Sequence, residues 1–105
     1  MKVVINTKQE LLNTLQQHKS KIVALGVKRL GIFGSFVRND VKEKSDVDFF
    51  VEFDPAKKKF DNFMDLAFLL EEITGRKIEL ITPQSLSPHT GKYILNEVEY
   101  VSLAA

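Results

Sequence analysis

The chain has no cysteine among its 105 residues, which excludes a disulfide scaffold and thiolate metal sites and fits a reducing compartment. Nor is charge of one sign in excess: 15 Lys plus Arg stand against 14 Asp plus Glu, a net charge of +1. That balance gives no basic surface for nucleic acid or an anionic membrane, so no direct nucleic-acid partner is expected. No stretch approaches the ~20 apolar residues of a membrane-spanning helix, and the first nine residues lack the apolar core of a secretion signal. Internal repeats and low-complexity linkers are missing too. The expectation is a soluble, cytoplasmic protein with one domain over residues 1–105, burying about 60–68% of its unfolded surface.

What the chain does have is concentrated at one spacing. Gly34 and Ser35 end an apolar run, the ten residues Phe36 to Ser45 follow, and then come Asp46, Val47 and Asp48. A Gly-Ser turn after a strand offers backbone N–H groups and a hydroxyl to a phosphate. Two carboxylates at i and i+2 on the next strand point to the same face. Together they suggest phosphoryl chemistry.

The surrounding pattern places this pair in an alternating helix–strand order. Thr7-Lys8-Gln9-Glu10 has capping-box spacing and opens a helix whose apolar stripe is Leu11, Leu12, Leu15, Ile22 and Val23, ending near Gly26. Arg29 to Phe33 reads as a strand. Gly34 breaks it, Ser35 can cap a short helix from Phe36, and residues 39–44 are charged and loop-like. Asp46 to Phe53 is a second strand with phenylalanine on both faces, hence central. Asp54-Pro55 ends it, and Lys57-Lys58-Lys59 is either a solvated entrance or a patch that steers nucleotide.

A helix with apolar residues Phe60, Phe63, Met64, Ala67, Phe68 and Ile73 runs to Thr74, and Arg76 to Ile81 forms a third strand. Ser87-Pro88 caps a last helix, whose buried side comprises Tyr93, Ile94, Val98 and Val101. The first two strands must bring the Gly-Ser turn beside Asp46, so they should be antiparallel. A helical crossover makes the second and third parallel. The expected fold is α/β (α+β), a mixed sheet of about three strands flanked by helices.

Residues two apart on a strand lie roughly 6–7 Å apart, close enough to converge on metal ions about 3.5–4 Å from each other. Glu79, at mid-strand on the neighbour, can supply a third carboxylate, making Asp46, Asp48 and Glu79 the candidate ligands of a hard cation. Acids on an apolar central strand cost several kcal/mol if uncompensated, and a cation offsets this. The plainer alternative for Glu79 is a surface ion pair with Lys77 or Arg76. His18 and His89 lack any partner that suggests catalysis, and both read as structural.

The stretch Gly34-Ser35-Phe36-Val37-Arg38 through Ser45-Asp46-Val47-Asp48-Phe49-Phe50-Val51 resembles the signature of the minimal nucleotidyltransferases of the polymerase-beta-like superfamily. Within it, the chain is similar to the antitoxin members encoded beside HEPN-domain toxins. The resemblance implies that a hydroxyl attacks the alpha-phosphate of a nucleoside triphosphate and pyrophosphate leaves, with two Mg2+ ions assisting. It also implies that Asp46 and Asp48 are catalytic and hold both metals, that Glu79 holds the catalytic one, and that Gly34 and Ser35 cradle the beta- and gamma-phosphates. Arg38 would serve either the triphosphate or an ion pair with Asp40 or Asp46. The family more often has aspartate where Glu79 stands. Its antitoxin members use ATP to adenylylate a tyrosine of the toxin, silencing its ribonuclease activity. Alternatives are transfer to a small molecule and neutralisation of a partner by binding alone.

Overall fold

The computed structural model describes residues 4–57 and 60–103, so Lys58 and Lys59 of the lysine run lie outside the described residues. The order is α1 (Lys8–Gln17), α2 (Lys19–Ala24), β1 (Val27–Phe33), α3 (Ser35–Arg38), β2 (Val47–Phe53), α4 (Phe60–Thr74), β3 (Ile78–Ile81), α5 (Pro88–Glu97) and β4 (Glu99–Val101). The strands form one mixed sheet in the order β3-β2-β1-β4. β2 pairs antiparallel with β1 and parallel with β3, as the sequence requires, and β4 adds antiparallel to the free edge of β1.

Strand alternation divides the sheet into two unlike faces. Leu30 and Ile32 of β1 and Val47, Phe49, Val51 and Phe53 of β2 face the helices. There they join Leu11 and Leu15 of α1, Ile22 of α2, Phe36 of α3, and Leu66 and Leu70 of α4 in one buried cluster. The other face carries Asp48, Phe50 and Glu52 of β2 beside Arg29, Gly31 and Phe33 of β1. Phe50 is buried there against the edge of Tyr100, their ring centroids 6.5 Å apart. The Arg29 guanidinium pairs with Glu52 and lies 4.4 Å from the Tyr100 ring centre. Phenylalanine on both faces of β2 therefore reflects its central place.

Four expectations are corrected. The first helix is two, broken at His18 (φ −111°, ψ 12°), whose Nδ1 lies 3.0 Å from the Thr14 carbonyl. The break rotates the stripe, so Ile22 is buried while Val23 is 44% exposed. On α4 the buried apolar positions are Leu66 and Leu70, with Phe63 and Ile73 of the expected stripe packed beside the core, and the stripe fails at Phe60, 75% exposed, and Phe68, 60% exposed. The last helix stops at Glu97, because Val98 is extended (ψ 134°) and Glu99–Val101 pairs with β1. Val101 is buried as a strand residue, and Tyr93 is 70% exposed. Among the described residues the sheet accordingly has four strands. Both caps behave as expected: Thr7 Oγ1 accepts the Glu10 N–H at 3.1 Å, and Ser87 Oγ accepts that of Thr90 at 3.0 Å.

The loop that delivers Asp46 is held from inside by Arg76, which is 8% exposed. Its Nη1 donates to the carbonyls of Lys42 (3.0 Å), Glu43 (3.2 Å) and Ser45 (2.9 Å), its Nη2 to Asn6 Oδ1 (2.9 Å), and its Nε to the Ile5 carbonyl. The Phe36 ring lies beneath the guanidinium, with its centre 5.4 Å away. A planar fork can satisfy so many acceptors at once, and a lysine cannot. Arg76→Met should lower stability by about 3 kcal/mol, because one buried and three part-buried carbonyl bonds to a charged donor are lost together. Arg76→Lys should recover only part of that deficit, as read by urea denaturation of the two variants.

Candidate functional site

The register of β1 against β2 builds the site. Phe33 lies opposite Asp48, so the chain leaves β1 and turns at Gly34 directly beside the Asp48 carboxylate. Gly34 takes φ 78°, a conformation closed to most residues, and a Cβ there would collide with Asp48 Oδ2. Glycine is required both for the turn and for this close approach. Ser35 is the first residue of α3 rather than its cap; Gly34 is the N-cap, and its carbonyl accepts the N–H groups of Val37 and Arg38, each at 3.1 Å.

β3 supplies the next acid. Its parallel register sets Glu79 directly beside Asp48, where its negative charge acts on the Asp48 carboxyl. Asp46 sits one residue before β2 and is exposed, entering from the turn that Ser45 closes by accepting the Lys42 N–H at 2.8 Å. Asp48 has its pKa raised to about 6, chiefly by burial, then by the negative charge of Glu79 and its hydrogen bond, and by Asp46; Arg38 opposes the shift. Asp48 thus holds its proton more tightly than an ordinary aspartate.

The alternative partners for Glu79 do not engage it: Arg76 is committed to backbone carbonyls, and neither Arg76 nor Lys77 forms an ion pair with it. Among the described residues, no three acids are already gathered as a cage for a metal ion. Asp48 and Glu79 lie side by side in register, and Asp46 acts on Asp48 through space. The donor set suits a hard cation nonetheless, since it offers only oxygens and includes a carboxyl whose pKa is raised by burial and then by neighbouring acids, a strain that bound positive charge relieves.

Arg38 pairs with neither Asp40 nor Asp46. Its Nη1 donates to both oxygens of Glu97, at 3.0 and 2.9 Å, and Glu97 Oε1 also accepts the N–H of Gly34. Glu97 is the residue that sequence reasoning missed, and no local spacing could have revealed it, because it reaches the turn from 63 positions away. Arg38, Asp46 and Glu79 are exposed, Asp48 is half-buried and Gly34 is buried. A cavity of about 750 Å³ borders Asp46, with Lys44, Arg76 and Lys77 in its wall, but Gly34, Arg38, Asp48 and Glu79 lie outside it. The reactive groups form a shelf at the strand ends.

A mixed sheet presenting an acid pair beside a glycine turn is a scaffold for phosphoryl transfer. The chain belongs to the nucleotidyltransferase domain family, whose sequence model matches residues 9–101. It is 36% identical over 96 residues to the protein adenylyltransferase MntA of Thermococcus cleftensis, an alignment covering 90% of this chain and 96% of that relative. Its fold matches a solved minimal nucleotidyltransferase with a TM-score of 0.68 at 25% identity, over 84% of this chain and 93% of the other. It also matches a chain in the complex of tri-AMPylated Shewanella oneidensis HEPN toxin with MNT antitoxin, with a TM-score of 0.54 at 18% identity, over 86% and 71% of the two chains. That last likeness concerns the fold alone. No helix among the described residues is long and apolar enough to cross a membrane.

The raised pKa of Asp48 has a definite sign for stability. Folding favours its protonated form, so its contribution is fully present below the ordinary value of 3.8 and is lost as pH rises through about 6. In metal-free protein, Asp48→Asn should therefore gain on the parent between pH 4 and 6 and melt several degrees higher at pH 7.5. Thermal melts of both proteins in EDTA across this range provide the check, and parallel curves would remove the strain assigned to Asp48.

Proposed function

We propose that this protein transfers AMP from ATP to a tyrosine hydroxyl of a partner HEPN-type ribonuclease toxin and thereby acts as its antitoxin. The observation that carries the reading is the register that sets Asp48 between the Gly34 turn and Glu79. Support comes from the adenylyltransferase name of the Thermococcus relative and from a shared fold with a chain in the AMPylated HEPN complex. The exposure of Arg38, Asp46 and Glu79 also favours this reading, because an acceptor side chain and the wall that excludes water must then come from a second protein.

In this reading the acceptor oxygen bonds to the alpha-phosphorus, the bond from that phosphorus to the beta-phosphate bridging oxygen breaks, and pyrophosphate leaves. Glu79 takes the acceptor proton. Gly34 and Ser35 hold the beta- and gamma-phosphates, and Arg38 binds them through its guanidinium fork. Asp46, Asp48 and Glu79 would hold two Mg2+ ions, which supply neutralisation of the phosphate and attacking-oxygen charge. Asp48 would serve there as a carboxylate, the form that nearby positive charge favours.

Glu79 gives the sharpest test, since the family more often uses the shorter acid. With alpha-labelled ATP, magnesium and the HEPN partner, Glu79→Gln should lose about 100-fold or more of the transfer rate, while Glu79→Asp keeps measurable activity. Asp46→Asn and Asp48→Asn should abolish transfer and still bind the partner. Parental turnover by Glu79→Gln would return Glu79 to a surface role. Full activity on a free sugar or drug, without the partner, would favour the small-molecule reading.

A further inference from the structure

Glu97 is the last residue of α5, and its carboxylate lies between the Gly34 amide and the Arg38 guanidinium. A carboxylate and a phosphate offer the same recognition chemistry: delocalised negative charge on oxygens that accept from a backbone N–H and from an arginine fork. The seat is thus filled by a group of the chain itself. Resting on the nucleotide-transfer reading above, we propose that Glu97 is an internal stand-in for substrate phosphate, which the triphosphate must displace in order to bind.

Three observations support displacement in place of a fixed structural role. The Glu97 side chain is 28% exposed and that of Arg38 55% exposed, so both can swing toward water without opening the core. The backbone on either side of Glu97 is anchored independently. Val98 N–H donates to the Ile94 carbonyl at 2.9 Å, and Glu99 pairs with Lys8 at 2.6 Å while its strand holds to β1. Release is therefore a side-chain rotation that leaves α5 and β4 in place. Glu97 also adds negative charge at Gly34, the residue against which the Asp48 carboxylate packs. Exchanging it for a triphosphate carried with cations removes that excess.

The consequence is a built-in reduction of nucleotide affinity. Binding must first break the hydrogen bonds that Glu97 accepts, so the empty protein holds its phosphate seat closed to weak or sparse anions. Removing the carboxylate should tighten binding about tenfold, the scale set by one charge-assisted hydrogen bond that no longer competes with the ligand.

Titration calorimetry of the full-length parent, Glu97→Gln and Glu97→Ala with inorganic tripolyphosphate and with Mg-ATP tests this. Both variants should bind both probes about tenfold tighter than the parent. In the parent, the carbon-13 signal of the Glu97 carboxyl should move from a paired to a free position on saturation with Mg-ATP, a measurement that needs no variant to fold. Unchanged or weaker binding by the variants, with Glu97 still paired in the saturated parent, would show that Glu97 only positions Arg38 and would overturn the displacement. Failure of all three proteins to bind either probe would instead sink the nucleotide reading together with the inference built on it.

Discussion

Pairing of β1 with β2 is the constraint on which the remaining structure depends. Both strands are seven residues long and run through the middle of the sheet, with Leu30, Ile32, Val47, Phe49 and Val51 all buried on one side. A slip of one residue would send that set to the opposite face and the acids into the core, so hydrophobic burial enforces a single register. The same register places Phe33 against Asp48, and hence the glycine turn against the carboxylate. Apolar packing on the helical side therefore sets the positions of polar groups on the other. The site inherits its precision from the core.

The electrostatics work against stability, as expected where function makes its own demands. Asp48 is pressed by burial and by Glu79 and Asp46, and the favourable charge of Arg38 is itself divided with Glu97. Arg76 plays the opposite part. It is buried with its donors occupied by backbone and Asn6 oxygens, and it spends its charge on holding the loop that ends at Ser45. Two arginines of the same chemistry thus serve different ends, one fixing backbone and one poised at the strand ends.

Much of this was legible in the residues. Gly34-Ser35 and Asp46-x-Asp48 could be read as neighbours because a turn and a strand start must meet for their chemistry to make sense, and that demand fixed strand directions before any pairing was known. The parallel crossover to β3 then put Glu79 on the same face as Asp48. The break at His18 was hidden, because its flanking residues are good helix formers and only tertiary packing redirects the chain. β4 was hidden because Val98 and Val101 also fit a helical spacing, and three residues are too few for a period of two to declare itself. Phe60 and Phe68 misled because aromatic content was read as burial, whereas the geometry of α4 turns Leu66 and Leu70 inward. Glu97 depends on an interaction across most of the chain, which no local pattern encodes.

The flanks of the sheet have a further consequence. Its outer strands are β3, with four residues, and β4, with three, while the long strands sit inside. An unpaired strand edge is a template on which a second chain can add by backbone hydrogen bonding, and the hazard grows with length and flatness. Here each open edge offers only a short row of free donors and acceptors, and charged side chains punctuate both: Glu79 on one, Glu99 on the other. The sheet is thereby guarded against lateral growth into aggregates.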